Sequence, residues 1–271
     1  YNIISSMKRI AIISAALALF AGAASAQQVV AHRGYWTAPG SAQNSIRSLV
    51  KADSVGVYGS EFDVWMLADG QLVVNHDRKF KGAHFEKDSY AKVQQIRLDN
   101  GETVPTLDEY LAECSNLPKT RVVLEMKSLM DPSREDEMAA KIVDALKKYQ
   151  LLNRTDIIAF SINACMAFKK LLPVGVPIYY LDGDLAPKKI KKLGLAGMDY
   201  SIKALREHPE WIKEAQKLGL KVNVWTVDEP EDIQFFIDHG VDYITTNYPE
   251  RVQKMLADSN KTAKTSKKKK K

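Results

Sequence analysis

The sequence predicts an α/β protein of the (β/α)8 barrel class, the TIM barrel, with a small insertion after the second strand. Three observations carry that prediction. Eight short apolar runs alternate with amphipathic stretches along most of the chain, the pattern of a parallel sheet covered by helices. Eight is also the strand number that closes such a sheet into a barrel. No Gly-rich turn follows the first run. That weighs against a dinucleotide-binding reading, while an open doubly wound sheet stays possible from periodicity alone. A length of 271 residues suits one such domain.

The elements follow in order. Residues 29–32 read as the first strand and 44–55 as the first helix. Residues 58–64 form the second strand, Asp69-Gly70 a hairpin turn, and 71–75 the returning strand. Residues 78–106 then hold few apolar residues and no long helical period, the mark of an excursion with a role of its own. Pro105-Thr106-Leu107-Asp108-Glu109 begins the next helix. Strands are expected at 121–126, 157–161, 177–181, 197–201, 221–226 and 241–245, with helices at 134–149, 187–193, 231–239 and 249–257. Proline stands at or near the start of three of these helices, where its missing N–H costs nothing.

Both ends read as separate from this body. Met7-Lys8-Arg9, an apolar run over 10–21 and Ala24-Ser25-Ala26 have the layout of a secretory signal peptide, which together with the residues upstream of Met7 makes up 1–26. The run is short against the roughly 20 residues of a membrane span. The mature chain is expected from about Gln27, exported to a periplasmic or secreted location. Residues 261–271 hold seven lysines and no acid, a self-repelling block expected to be disordered. Without that block, Lys8 and Arg9, 30 basic residues face 33 acidic ones. The basic character therefore belongs to the end and marks no nucleic-acid face. A weak contact with an anionic surface through the lysines fits as well as a merely solvated end. Cys114 and Cys165 fall in helical patterns and are expected as two buried thiols rather than a disulfide.

In a barrel the chemistry collects where strands end. The first strand ends in His32-Arg33, an imidazole able to move a proton beside a guanidinium suited to phosphate oxygens. Glu61 and Asp63 alternate onto one face of the second strand. Two buried carboxylates repel unless a positive charge lies between them, and a divalent cation with oxygen ligands meets that need. The hairpin returns to His76, bringing a second imidazole close. Glu125 and Lys127 share a face of the third strand, as a further carboxylate ligand and a phosphate-facing ammonium, or as a local ion pair. Trp225 ends the seventh strand, as core or as the apolar wall of a pocket.

His32-Arg33-Gly34, Asn44, Glu61-x-Asp63, Asp69-Gly70 and His76-Asp77 resemble, in order and spacing, the signature of the glycerophosphodiester phosphodiesterase family. Leu124-Glu125-Met126-Lys127, Val224-Trp225-Thr226-Val227 and Gly240-Val241-Asp242 through Tyr248-Pro249 continue the match. The resemblance implies the barrel and its insertion. It implies a divalent cation, Mg²⁺ or Ca²⁺, on Glu61, Asp63 and Glu125, with His32 and His76 as the acid/base pair and Arg33 and Lys127 on phosphate. The implied substrates are glycerol phosphodiesters, giving sn-glycerol 3-phosphate and an alcohol such as choline or ethanolamine. Gln43, Ser45 and Asn247 stand where the family usually has Glu, Thr and Asp. A lyase-type phospholipase stopping at a cyclic phosphate and a non-catalytic binding protein are the other readings of the same residues.

Overall fold

The computed structural model describes residues 26–268, with side chains through 262. The expected signal segment, apart from Ala26, lies outside the described residues. The strands are β1 (Gln28–Ala31), β2 (Gly59–Met66), β3 (Leu72–Val74), β4 (Lys79–Phe80), β5 (Ala83–His84), β6 (Arg121–Met126), β7 (Thr155–Ala159), β8 (Ile178–Tyr180), β9 (Gly197–Ser201), β10 (Lys221–Trp225) and β11 (Tyr243–Thr246). Hydrogen-bonded neighbours run β1-β11-β10-β9-β8-β7-β6-β2, and β1 also pairs with β2. The parallel sheet therefore closes on itself, and the open-sheet alternative falls. β3 returns antiparallel along β2 through the Asp69-Gly70 turn.

The expected insertion is ordered. β4 and β5 form a small hairpin, Tyr90–Val93 is one helical turn, and Arg97 bridges to Thr103. Phe85, Val93, Leu98 and Val104 are buried there, so its few apolar residues are enough to anchor it. Helices Ile162–Leu171, Ile202–Glu207 and Glu210–Lys217 complete the outer layer. The last helix, Pro249–Lys268, runs well into the segment expected to be disordered. Lysine is a good helix former, and cations at a helix C-terminus face the negative end of its dipole. Among the described residues no helix is long and apolar enough to cross a membrane. Cys114 and Cys165 are free and buried.

Alternation along the strands divides the interior in two. Phe62, Val64, Leu124 and Met126 face outward into the main apolar layer under the helices. Val30, Val123, Ile158, Tyr179 and Leu181 form a smaller cluster inside the barrel. Towards the N-terminal ends of the strands, Arg121 Nη2 lies 2.6 Å from Asp156 Oδ1, and Tyr58 donates its hydroxyl to Asp156 Oδ2 at 3.2 Å. This paired charge fills the barrel at the end away from the predicted chemistry.

The loop leaving β1 is held tightly. Gly34 has φ +75°, and a Cβ there would lie 2.2 Å from Ser48 Oγ. That hydroxyl shares its one hydrogen between the carbonyls of Arg33 and Ser45, 3.0 and 2.8 Å away, and Ser45 caps helix Ile46–Ser54. Glycine alone fits both the backbone angle and the approach. Gly34→Ala is expected to cost roughly 2 kcal/mol or more. Urea unfolding monitored by circular dichroism measures this, and an unchanged midpoint would contradict it.

Candidate active site

β2 and β6 pair with Asp63 beside Glu125. Glu61, Asp63 and Glu125 project from the inner face, all buried, each offering an oxygen within 4.8 Å of the others. Positive charge is gathered around them. Lys127 Nζ lies 2.7 Å from Glu125 Oε1 and 3.3 Å from Asp63 Oδ1. Arg33 Nε lies 3.9 Å from Asp63 Oδ2. The local pair of Glu125 with Lys127 is thus present, and Asp63 shares the same ammonium.

The three carboxyls do not titrate alike. Burial alone would raise Asp63, but Lys127, His76 and Arg33 outweigh it and hold Asp63 below the ordinary carboxyl range. Burial, then Asp63 and Glu125, hold Glu61 well above that range. Burial and Asp63 push Glu125 up to about 7. Burial opposes the charge on Lys127, yet Asp63 and Glu125 keep its ammonium above the ordinary value. Three buried carboxyls converging on one point, two of them held towards the neutral acid, fit a divalent cation as hard oxygen donors.

Asn44 and the backbone aim the acids. Asn44 Nδ2 donates to Asp63 Oδ2 at 2.9 Å, and the Asp63 amide donates to Asn44 Oδ1 at 3.1 Å. The Arg33 amide donates to Glu61 Oε2 at 2.7 Å. Arg33 Nη1 donates to Gln43 Oε1 at 2.6 Å, so the glutamine in place of the usual family glutamate still holds the guanidinium.

His32 is locked by residues that sequence reasoning did not place in the site. Trp36 Nε1 donates to Asn247 Oδ1 at 2.8 Å, and Asn247 Nδ2 donates to Asp228 Oδ2 at 2.6 Å. An indole N–H can only donate and a carboxylate can only accept, so the amide has one orientation. Its Oδ1 therefore faces His32 Nδ1, 2.8 Å away, which must carry a hydrogen. Nε2 is left as the basic nitrogen. Burial and Arg33 push His32 down to about 4, which keeps the ring neutral near pH 7. His76 arrives on the hairpin, where the Asn75 amide donates to the Asp63 carbonyl. Its Nδ1 lies 2.8 Å from Asp77 Oδ1. Burial lowers its pKa, with the Asp63 carboxylate opposing.

The two imidazoles border one small cavity of about 140 Å³, with Arg33, Glu61, Glu125 and Trp225 also on its wall. Asp63 and Lys127 join them through the contacts above, so all eight residues singled out in the sequence meet at one end of the barrel. The Trp225 indole donates to the Asp199 carbonyl at 2.8 Å and packs edge-on to Phe160. His76 also borders an open groove of about 710 Å³, with Trp36, Phe80 and Tyr248. Asn247, Asp228 and Trp36 had only a faint signal: each follows a barrel strand, but their bonds join residues far apart in the chain.

Comparison with known proteins agrees with this arrangement. The model of the glycerophosphoryl diester phosphodiesterase family matches residues 32–251. The glycerophosphodiester phosphodiesterase of Caldanaerobacter subterraneus is 31% identical over 82% of this chain and 94% of its own length. A crystal structure of a glycerophosphodiester phosphodiesterase from Parabacteroides distasonis superimposes with a TM-score of 0.85 at 44% identity, covering 87% of this chain and 99% of that one. An Oleispira antarctica phosphodiesterase, solved with its product sn-glycerol-3-phosphate, gives 0.73 at 25% identity over 85% and 96%. A closed barrel with its ionisable groups gathered at the strand ends, and likeness along nearly the whole of these relatives, make this chain a member of the glycerophosphoryl diester phosphodiesterase family.

Proposed function

We propose that this chain hydrolyses glycerophosphodiesters to sn-glycerol 3-phosphate and an alcohol, outside the cytoplasm, with a divalent cation on Glu61, Asp63 and Glu125. The observation that carries the reading is the pair of imidazoles on one cavity wall beside three buried carboxyls. Simple capture of a phosphodiester needs no such pair. The named relatives and the product complex of the Oleispira protein support the substrate class. The secretory layout of residues 7–26 supports export.

Bound there, Mg²⁺ or Ca²⁺ would supply positive charge to the phosphate oxygens as the fifth bond forms. Arg33 and Lys127 add fixed charge on the same side and hold the diester. His32 offers Nε2 as base, because its other nitrogen is committed to Asn247. It takes the proton of the attacking hydroxyl, from water or from the neighbouring position of the substrate. His76, with Nδ1 held by Asp77 and the Asp63 charge nearby, returns a proton to the leaving alcohol. Attack by the neighbouring hydroxyl passes through a cyclic phosphate. Product analysis over time separates complete hydrolysis from a lyase that stops there.

Release of glycerol 3-phosphate from glycerophosphocholine and glycerophosphoethanolamine tests the reading. EDTA is expected to abolish release, and Mg²⁺ or Ca²⁺ to restore it. His32→Ala and His76→Ala should each lower kcat by about 10²-fold or more; near-wild-type rates in both would remove the acid/base assignment.

Proton competition sets a second expectation. Glu61 and Glu125 have raised pKa values without metal and must lose protons to ligate one. A raised carboxyl contributes stability below its unfolded pKa, and this is lost as pH rises through the folded value, here about 7 for Glu125. Metal reverses that loss. The rise in Tm on adding metal should therefore be larger at pH 8 than at pH 5, measured by thermal unfolding with and without EDTA. An equal rise at both pH values would count against these ligands.

A further inference from the structure

The end of the barrel away from the active site carries a surface that the fold does not need. The connections from helix to strand lie there, and the one between helix Ile162–Leu171 and β8 is apolar: Leu171 to Val176 contains no polar side chain. Val174 is fully exposed, and Leu171 is exposed as well. The loop is held in a turn, the Val176 amide donating to the Pro173 carbonyl. One exposed apolar residue needs no explanation by itself; its setting does.

Lysines surround that loop. Lys169 and Lys170 precede it, and Lys169 Nζ donates to the Leu193 carbonyl at 2.6 Å. Lys169, Val174 and Gly194 border one open groove of about 440 Å³. Gly194 ends helix Pro187–Leu193, which holds four lysines in seven residues and no acid. Lysines in its last turn suit the helix dipole, but Lys188 and Lys189 stand in the first turn, where positive charge is unfavourable. The helix therefore gains nothing from that pair. A Cβ on Gly219 would lie 4.0 Å from Lys191 Nζ, and one on Gly240 3.3 Å from Lys213 Nζ, so the belt passes from helix to helix. Glu214 and Asp242 each face one lysine, Lys188 and Lys221. Lys170, Lys189, Lys191, Lys192, Lys213 and Lys217 are exposed and lie near no carboxylate in any ion pair among the described residues. Asn260 of the last helix borders a groove with Lys213 and Lys221, so the seven lysines of 261–271 follow on from this same end.

The catalytic end of the same sector has the opposite sign. The loops leaving β8 and β10 carry Asp182, Asp184, Asp228 and Glu229 and no lysine or arginine. Charge is thus separated along the barrel axis, and an anionic surface would draw in the lysine end and turn the active-site mouth away. A dissolved polyanion would need the lysines alone. A bilayer uses both features, its headgroup phosphates meeting the ammonium groups and its acyl boundary taking the apolar loop.

We propose that this face docks on a bilayer containing anionic phospholipid, with Val174 entering the headgroup boundary and the lysines of helices Ile162–Leu171, Pro187–Leu193 and Glu210–Lys217 on phosphates, while the active site stays open to water.

The test is co-sedimentation of the chain from Gln27 to Lys271, which contains every strand and helix of the barrel, with two kinds of vesicle. One is phosphatidylcholine alone, and the other is equal parts phosphatidylglycerol and phosphatidylcholine. Binding is expected to the mixed vesicles only, and to weaken with added salt. Replacing Lys170, Lys191 and Lys192 together by Gln should lower the partition coefficient at least about tenfold. Val174→Ser should lower it about threefold or more. These side chains are exposed, so thermal unfolding should be unchanged in both variants. Glycerophosphocholine turnover by the bound protein should match that of the free protein. No binding to the mixed vesicles, or equal binding to both kinds, would overturn the proposal. So would loss only in a chain ending at Asn260, which gives the contact to the terminal lysines. An effect of the lysine variant without one of Val174→Ser would replace the bilayer by a polyanion, and turnover blocked by vesicles would put the other end of the barrel on the membrane. Sedimentation decides the docking even if the wild type hydrolyses no glycerophosphodiester.

Discussion

Like charges confined out of water set the terms for everything at the mouth of this barrel. Glu61, Asp63 and Glu125 are brought together by two facts of sheet geometry: the two-residue alternation of β2 and its register with β6. Three ionised carboxyls at that spacing would push the strands apart. The structure divides the load instead. Asp63 keeps its charge against Lys127 and Arg33, while Glu61 and Glu125 shift towards the neutral acid. The cationic side chains nearby are thus required by the fold before any substrate arrives.

Around that centre the polar groups come in directed chains rather than single contacts. Asn44 is bound twice to Asp63. Trp36, Asn247, Asp228 and Thr246 hold one another so that His32 has one available tautomer. Aspartate at position 247 would also accept from His32 Nδ1, but its charge would favour the protonated ring and repel Asp228. The neutral amide keeps the direction of the bond without that effect.

Much of this was legible in the residues. Strand alternation alone placed Glu61 with Asp63 and Glu125 with Lys127, and the Asp69-Gly70 turn brought His76 back beside them. Eight runs separated by amphipathic stretches were enough for the barrel. The helices at 162–171, 202–207 and 210–217 were not assigned, being short, and the latter two are divided by His208-Pro209. The lysine block was read by charge alone, and its helix propensity was overlooked. The support of His32 was illegible for a different reason. It joins residue 32 to residue 247, and residue 247 to residues 36 and 228. Side-chain bonds over such distances leave no local period.

The ring is completed by pairing β1 with β11, and the side chain that orients His32 comes from the residue directly after β11. A chain made from its N-terminus has its two imidazoles, its carboxyls and the cations beside them in hand long before residue 247 exists. Until the last strand docks, nothing dictates which nitrogen of His32 faces the cavity. Closure of the barrel thus acts as an assembly checkpoint: a nascent or C-terminally clipped chain carries every reactive group and yet lacks the arrangement that makes them an enzyme.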